Sequence, residues 1–118
     1  MGLENLRCYS LNVRGIKSDK RKRLSIFIAF KSKYPGIIFM QETHNNTVEV
    51  ESLWKPKSGG EIIFSHGTAT SKGVTILLSL NFKYKIETPI KSPDGRYIIA
   101  KIEFCSSKYI FTNVYTST

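Results

Sequence analysis

Acidic residues are scarce in this 118-residue chain: 9 Asp and Glu face 18 Lys and Arg, for a formal charge of +9 and a pI near 9.7. A field of that sign attracts polyanions, nucleic acid first, and lysines that serve only solubility are the lesser alternative. Cysteine is as sparse. Cys8 and Cys105 cannot build a multi-bridge framework, so a packed core must carry the fold, and the composition suits a reducing compartment. No stretch approaches the ~20 apolar residues of a membrane span, and the opening MGLENLRCYS has no apolar signal region. The expectation is a soluble chain, not secreted and without a membrane partner. Leu6 stands where a myristoylation pattern on Gly2 wants Ser or Thr, and the sequon at Asn45 has no secretory route to serve.

What the chain does have is an ordinary globular balance, with 41% hydrophobic and 12% aromatic residues, and neither internal repeat nor linker. One modest domain is expected. Residues 6–12, LRCYSLN, read as a first strand that breaks at NVRG. From Ser18 to Tyr34, Leu24, Phe27, Ile28 and Phe30 recur among basic residues as on one face of a helix, with Ser18 or Asp19 as N-cap and Pro35-Gly36 as stop. IIFMQ follows as a second strand, apolar enough to be buried on both faces. Strand, helix and strand make a βαβ unit. The right-handed crossover sets its two strands parallel, so that Asn12 and Glu42 open on the same sheet edge, where open α/β sheets keep their ligand sites.

A short helix near Val48–Trp54 should close at Pro56 and Gly59-Gly60. Then the rhythm changes. EIIFSH, GVTILLSL, KYKIETPI, RYIIAKIEF and KYIFTNVY are β-branched and aromatic runs that read as hairpin strands, with SPDG and CSSK as tight turns. Nothing after Tyr115 would cover what these hairpins expose, so a fragment with an open edge is expected.

Three pieces line up: SLNVRGI at Ser10–Ile16, MQETH at Met40–His44, and GRYIIAKIEF through YIFTNVY, ending at Tyr115. With KGVTILLS and PDGRYIIAKI in the same order, the pattern resembles the N-terminal half of the endonuclease/exonuclease/phosphatase superfamily, which includes exonuclease III, apurinic/apyrimidinic endonucleases and deoxyribonuclease I. The closest likeness is to the endonuclease domain of LINE-type non-LTR retrotransposons. It covers nearly the whole chain. The resemblance implies an α/β class protein, the N-terminal portion of a four-layered α/β/β/α sandwich of deoxyribonuclease I type, with mixed sheets and antiparallel hairpins, residues 1–118 forming a single truncated domain. It implies a metal-dependent endonuclease that nicks DNA, in the nucleus or cytoplasm.

Carried over by position, the resemblance makes Glu42 the metal-binding carboxylate and Asn12 its neighbour at the metal, Tyr115 the contact to the scissile phosphate, and Gln41 a residue that orients the site. Mg²⁺, or Mn²⁺ in its place, suits such oxygen donors. Arg14 and Lys17, beside Asn12, are placed to meet a DNA backbone. The basic run Lys20–Arg23 is either a DNA or nuclear-localisation patch or, as composition alone favours, the solvated face of the first helix.

Two departures limit the likeness. The family continues its NVY with Ala-Pro-Asn, where this chain has Thr116, Ser117 and Thr118. Its Gly-Asp-x-Asn and Ser-Asp-His motifs, the second of which activates water, are absent from these residues. His44 and His66 are the only histidines; His44 has no catalytic duty implied, and His66, in SHGTATSK, reads as an exposed loop residue. The isolated polypeptide is therefore expected to be inactive, completed by the missing C-terminal half. The alternatives are an abasic-site repair nuclease or other phosphoesterase of the same fold, and a non-catalytic DNA-binding remnant.

Overall fold

In a computed structural model, residues 7–31, 36–58, 60–68, 71–79 and 83–116 are described. β1 (Arg7–Asn12), α1 (Lys20–Lys31) and β2 (Gly36–Gln41) form the expected βαβ unit, with β1 and β2 parallel in the register Asn12↔Gln41. Asp19 is the N-cap of α1: its Oδ1 accepts from Lys22 N at 2.9 Å and its carbonyl from Arg23 N at 3.0 Å. Gly36 is strand, not helix stop. A Cβ there would lie 2.5 Å from the Arg7 carbonyl, so the close approach of β1 and β2 at this end needs a glycine. Tyr34 and Pro35 lie outside the described residues.

α2 (Val48–Ser58) starts at Thr47, whose Oγ1 accepts from Val50 N at 3.3 Å, and runs through Pro56 rather than closing there. In the last turn the missing proline N–H removes a single helical bond, a smaller loss than in a helix interior. β3 (Gly60–Ser65) and β4 (Val74–Ser79) are an antiparallel pair, and β4 also pairs antiparallel with β2. The first sheet is thus mixed, in the order β1-β2-β4-β3.

The remaining strands build a second sheet. β7 (Tyr97–Phe104) pairs with β8 (Ser107–Val114) along its whole length, joined by the two-residue turn Cys105-Ser106, both at positive φ. KYKIETPI is not one strand but two pieces, β5 (Lys85–Ile86) and β6 (Ile90–Lys91), on the other edge of β7. Pro89 between them has no N–H to give the ladder. The string of hairpins is therefore divided between two sheets.

The strands' alternation fills two cores. Ile38 and Met40 of β2 face the helices, joining Phe27, Trp54, Phe64 and Leu77; Ile37 faces the second sheet, with Ile76, Leu78, Ile98 and Ile102. Each such side chain, fully buried, is worth ~1.5–3 kcal/mol relative to exposure. On α1 the expected apolar face is only partly right. Phe27 is buried, but Ile28 is 63% exposed, and Ile26 packs against the core instead; the Phe30 side chain lies outside the described residues. The layers are α, β, β, and among the described residues no helix covers the outer face of the second sheet, which exposes Tyr97, Ile110 and Val114. β1 is an edge strand with all six residues exposed.

Candidate active site

The parallel pair β1/β2 does not end at its last strand residues. Val13 N donates to Gln41 O at 3.0 Å, Gly15 N to Glu42 O at 2.6 Å and Ile16 N to Thr43 O at 3.2 Å, so the two loops leave the sheet side by side. That backbone zipper brings Asn12 and Glu42 together. Asn12 Nδ2 donates to Glu42 Oε1 at 3.0 Å, while Asn12 Oδ1 accepts from Arg14 N at 3.2 Å. An amide held at both ends in this way is fixed in orientation, with its NH₂ toward the carboxylate. Glu42 is half-buried and has no ion-pair partner among the described residues.

The backbone here is strained. Arg14 (φ 49), Glu42 (φ 57), His44 (φ 62) and Lys72 (φ 61) all occupy the left-handed region, which costs a non-glycine residue roughly 1–2 kcal/mol. Such residues cluster where surrounding structure over-determines them, commonly at functional sites. Gly15, at φ 88, completes the turn because its neighbour leaves no room: a Cβ there would meet His44 Nδ1 at 2.6 Å.

Behind the carboxylate, Gln41 Nε2 lies 2.8 Å from Asn113 Oδ1 and 3.2 Å from both Ser10 Oγ and Phe39 O. Asn113, 2% exposed on β8, donates from Nδ2 to Met40 O at 3.1 Å and Thr75 O at 2.7 Å. It therefore ties the second sheet to β2 and β4 of the first, immediately under the site. Sequence reading passed over Asn113. The available signal was an Asn in the inward series Tyr109, Phe111, Asn113, since an inward polar residue of a strand must find partners. Tyr115 follows two residues later, its N–H donating to Arg96 O at 2.7 Å and its ring half-buried against the inter-sheet core.

The basic run is not a uniformly solvated face. Lys20 and Arg21 are exposed, but Lys22 Nζ donates to Val13 O at 3.0 Å and Gly15 O at 3.3 Å. Arg23 Nη1 donates to Ile16 O at 2.8 Å and Lys17 O at 3.0 Å, its guanidinium 5.4 Å from the Trp54 ring centroid. These two cations saturate carbonyls that the β1–α1 turn leaves without a ladder partner. Arg14 stays exposed and Lys17 half-buried at the rim. His66 also departs from expectation: it is no exposed loop residue, but is stacked on Phe64 and bonded to Glu51 and Asn45.

Among the described residues no group of three or more His, Cys, Asp and Glu converges as a metal cage. The donor set at the strand ends is of another kind: one carboxylate with an oxygen left free and an adjacent amide. That chemistry fits Mg²⁺, which takes one or two carboxylates and completes its shell with phosphate oxygens and water.

No family model matches the sequence. The chain is 29% identical over 109 residues to the transposon TX1 uncharacterized 149 kDa protein of Xenopus laevis, covering 92% of this chain and 8% of that protein. In structure it is similar to the AP endonuclease LMAP from Leishmania major, with a TM-score of 0.67 at 16% identity, covering 92% of this chain and 40% of that one. The chain spans less than half the length of either. The described residues thus share the two-sheet α/β fold of that endonuclease, on a sequence similar to part of a transposon protein.

Proposed function

We propose that these residues are the N-terminal portion of a metal-dependent DNA endonuclease domain of retrotransposon type. The observation that carries the reading is the Asn12–Glu42 contact at 3.0 Å, which presents a half-buried carboxylate, with no cationic partner among the described residues, at the end of two parallel strands. In a chain of charge +9, a carboxylate that no described lysine or arginine pairs with is well suited to a divalent cation.

Glu42 would hold Mg²⁺, or Mn²⁺, with Asn12 orienting it. A cation there supplies neutralisation of phosphate charge and stabilisation of the leaving oxygen. Asn12 and Gln41 keep the carboxylate pointed, Tyr115 offers its hydroxyl to a non-bridging phosphate oxygen, and Arg14 and Lys17 position the DNA backbone without reading its sequence. The Ser-Asp-His motif that activates water in the resembled family is absent from these residues. Catalytic groups act as a unit, so the 118-residue polypeptide by itself binds DNA and does not cleave it, and the exposed β1 edge is where the rest of the domain would join. A nuclear or cytoplasmic site of action is part of the same proposal.

The test pairs a supercoiled-plasmid nicking assay with duplex-DNA binding, each run with Mg²⁺ and with EDTA, on the wild type, Glu42→Ala and the double variant Arg14→Ala/Lys17→Ala. Expected is no nicking, with binding weakened by EDTA, by Glu42→Ala and, evenly across sequences, by the double variant. Nicking that needs Mg²⁺ and Glu42 would keep the endonuclease reading and overturn the inactivity. The absence of both nicking and Mg²⁺-sensitive binding in folded protein would overturn the reading itself.

A further inference from the structure

The segment Glu42–Asn46 turns twice through left-handed backbone, and its anchor is Asn45, which is fully buried. Asn45 O accepts from Gly67 N at 2.9 Å, Oδ1 meets the Thr43 hydroxyl, and Nδ2 donates to Ser65 O at 3.2 Å and faces His66 Nδ1 at 2.8 Å. The amide cannot be reversed, because the Ser65 carbonyl only accepts. His66 Nδ1 is therefore an acceptor, and the ring proton sits on Nε2, which donates to Glu51 Oε2 at 2.6 Å. Stacking on Phe64, with ring centroids 5.7 Å apart and planes 16° from parallel, holds the ring in place, and Lys55 Nζ lies 3.6 Å from the other Glu51 oxygen.

We propose that His66 is a positioning residue for the Glu42 carboxylate: set in one tautomer by Glu51 of α2, it accepts from Asn45, which holds the Thr43 hydroxyl and so the turn that aims Glu42. This rests on the reading of Glu42 as a cation ligand. The line of contacts runs from a helix, through an imidazole, to the residue next to the ligand, and each member is fixed by at least two others. Groups behind a ligand that fix its orientation typically change metal affinity by roughly 10–100-fold when removed.

The experiment measures Mn²⁺ binding to the 118-residue chain by water-proton relaxation, together with thermal melting, for wild type, Glu42→Ala, His66→Ala, His66→Asn and His66→Gln. An Asn side chain places an acceptor near the position of Nδ1, and a Gln side chain places a donor near that of Nε2. Expected is loss of binding in Glu42→Ala, affinity weakened about tenfold in His66→Ala and His66→Gln, and near-wild-type affinity in His66→Asn. A merely structural histidine would lower the melting temperature in all three variants while the folded protein kept its affinity, and that result overturns the proposal. If Glu42→Ala binds Mn²⁺ like wild type, or wild type binds none, the cation reading falls and takes the proposal with it. Nitrogen NMR of the wild-type ring needs no variant to fold: an unprotonated Nδ1 and protonated Nε2 are expected, and the opposite tautomer overturns the proposal alone.

Discussion

Asn113 is the residue whose removal tests the joining of the two sheets most directly. Its amide makes three short contacts: two donated to the Met40 and Thr75 carbonyls, which sit opposite each other across β2 and β4, and one accepted from Gln41. Each buried hydrogen bond contributes about 1 kcal/mol net, and a carbonyl left without its partner adds to the loss, so Asn113→Ala is expected to cost about 3 kcal/mol. That is a large part of the 5–15 kcal/mol typical of a domain, but not all of it. With an m-value of about 2 kcal/mol/M, the urea midpoint should fall by about 1.5 M with m unchanged. Gln41→Ala alone should cost about 1 kcal/mol, because two of its three contacts are long, and a double-mutant cycle should return a coupling near 1 kcal/mol. A loss below about 1 kcal/mol for Asn113→Ala, or zero coupling, would mean that apolar packing alone joins the sheets and that the amide is a bystander.

Two further outcomes follow from local geometry. Gly15→Ala forces a Cβ onto backbone at φ 88 and to within 2.6 Å of His44 Nδ1, so it should lose about 2 kcal/mol in urea denaturation; adding His44→Ala should return the steric share but not the backbone share. Tyr84 has its hydroxyl pKa raised well above its ordinary 10.0, first by burial and then by its 2.6 Å hydrogen bond to Glu61 Oε1. Its contribution is whole below pH 10 and is lost as pH rises toward the folded-state value, since the unfolded tyrosine ionises first. Urea midpoints taken across that alkaline range should fall less steeply for Tyr84→Phe; identical slopes would refute the linkage.

Much of this was legible in the chain. Asp19 announced its helix because a short acceptor before a basic helical run has an orphan N–H to meet, and IIFMQ announced a doubly buried strand by its composition. Less legible were residues whose meaning depends on partners far along the chain. Asn113 bonds residues 38 to 73 positions away. Lys22 and Arg23 look like their neighbours Lys20 and Arg21, yet only the first pair lies over the open carbonyls of the β1–α1 turn. His66 sat in a polar stretch that reads as loop, and nothing nearby in sequence marks the Glu51 and Asn45 that hold it.

By itself, the sequence determined the βαβ start, the parallel alignment that puts Asn12 and Glu42 on one edge, and the field that draws polyanions, because these follow from local periodicity, chain chirality and summed charge. Tertiary structure decided that Asn12 donates to Glu42, how the hairpins divide between two sheets, and which polar side chains are buried to hold the site. Those outcomes depend on hydrogen bonds and packing between segments that meet only once the chain has folded, and a local pattern carries no record of them.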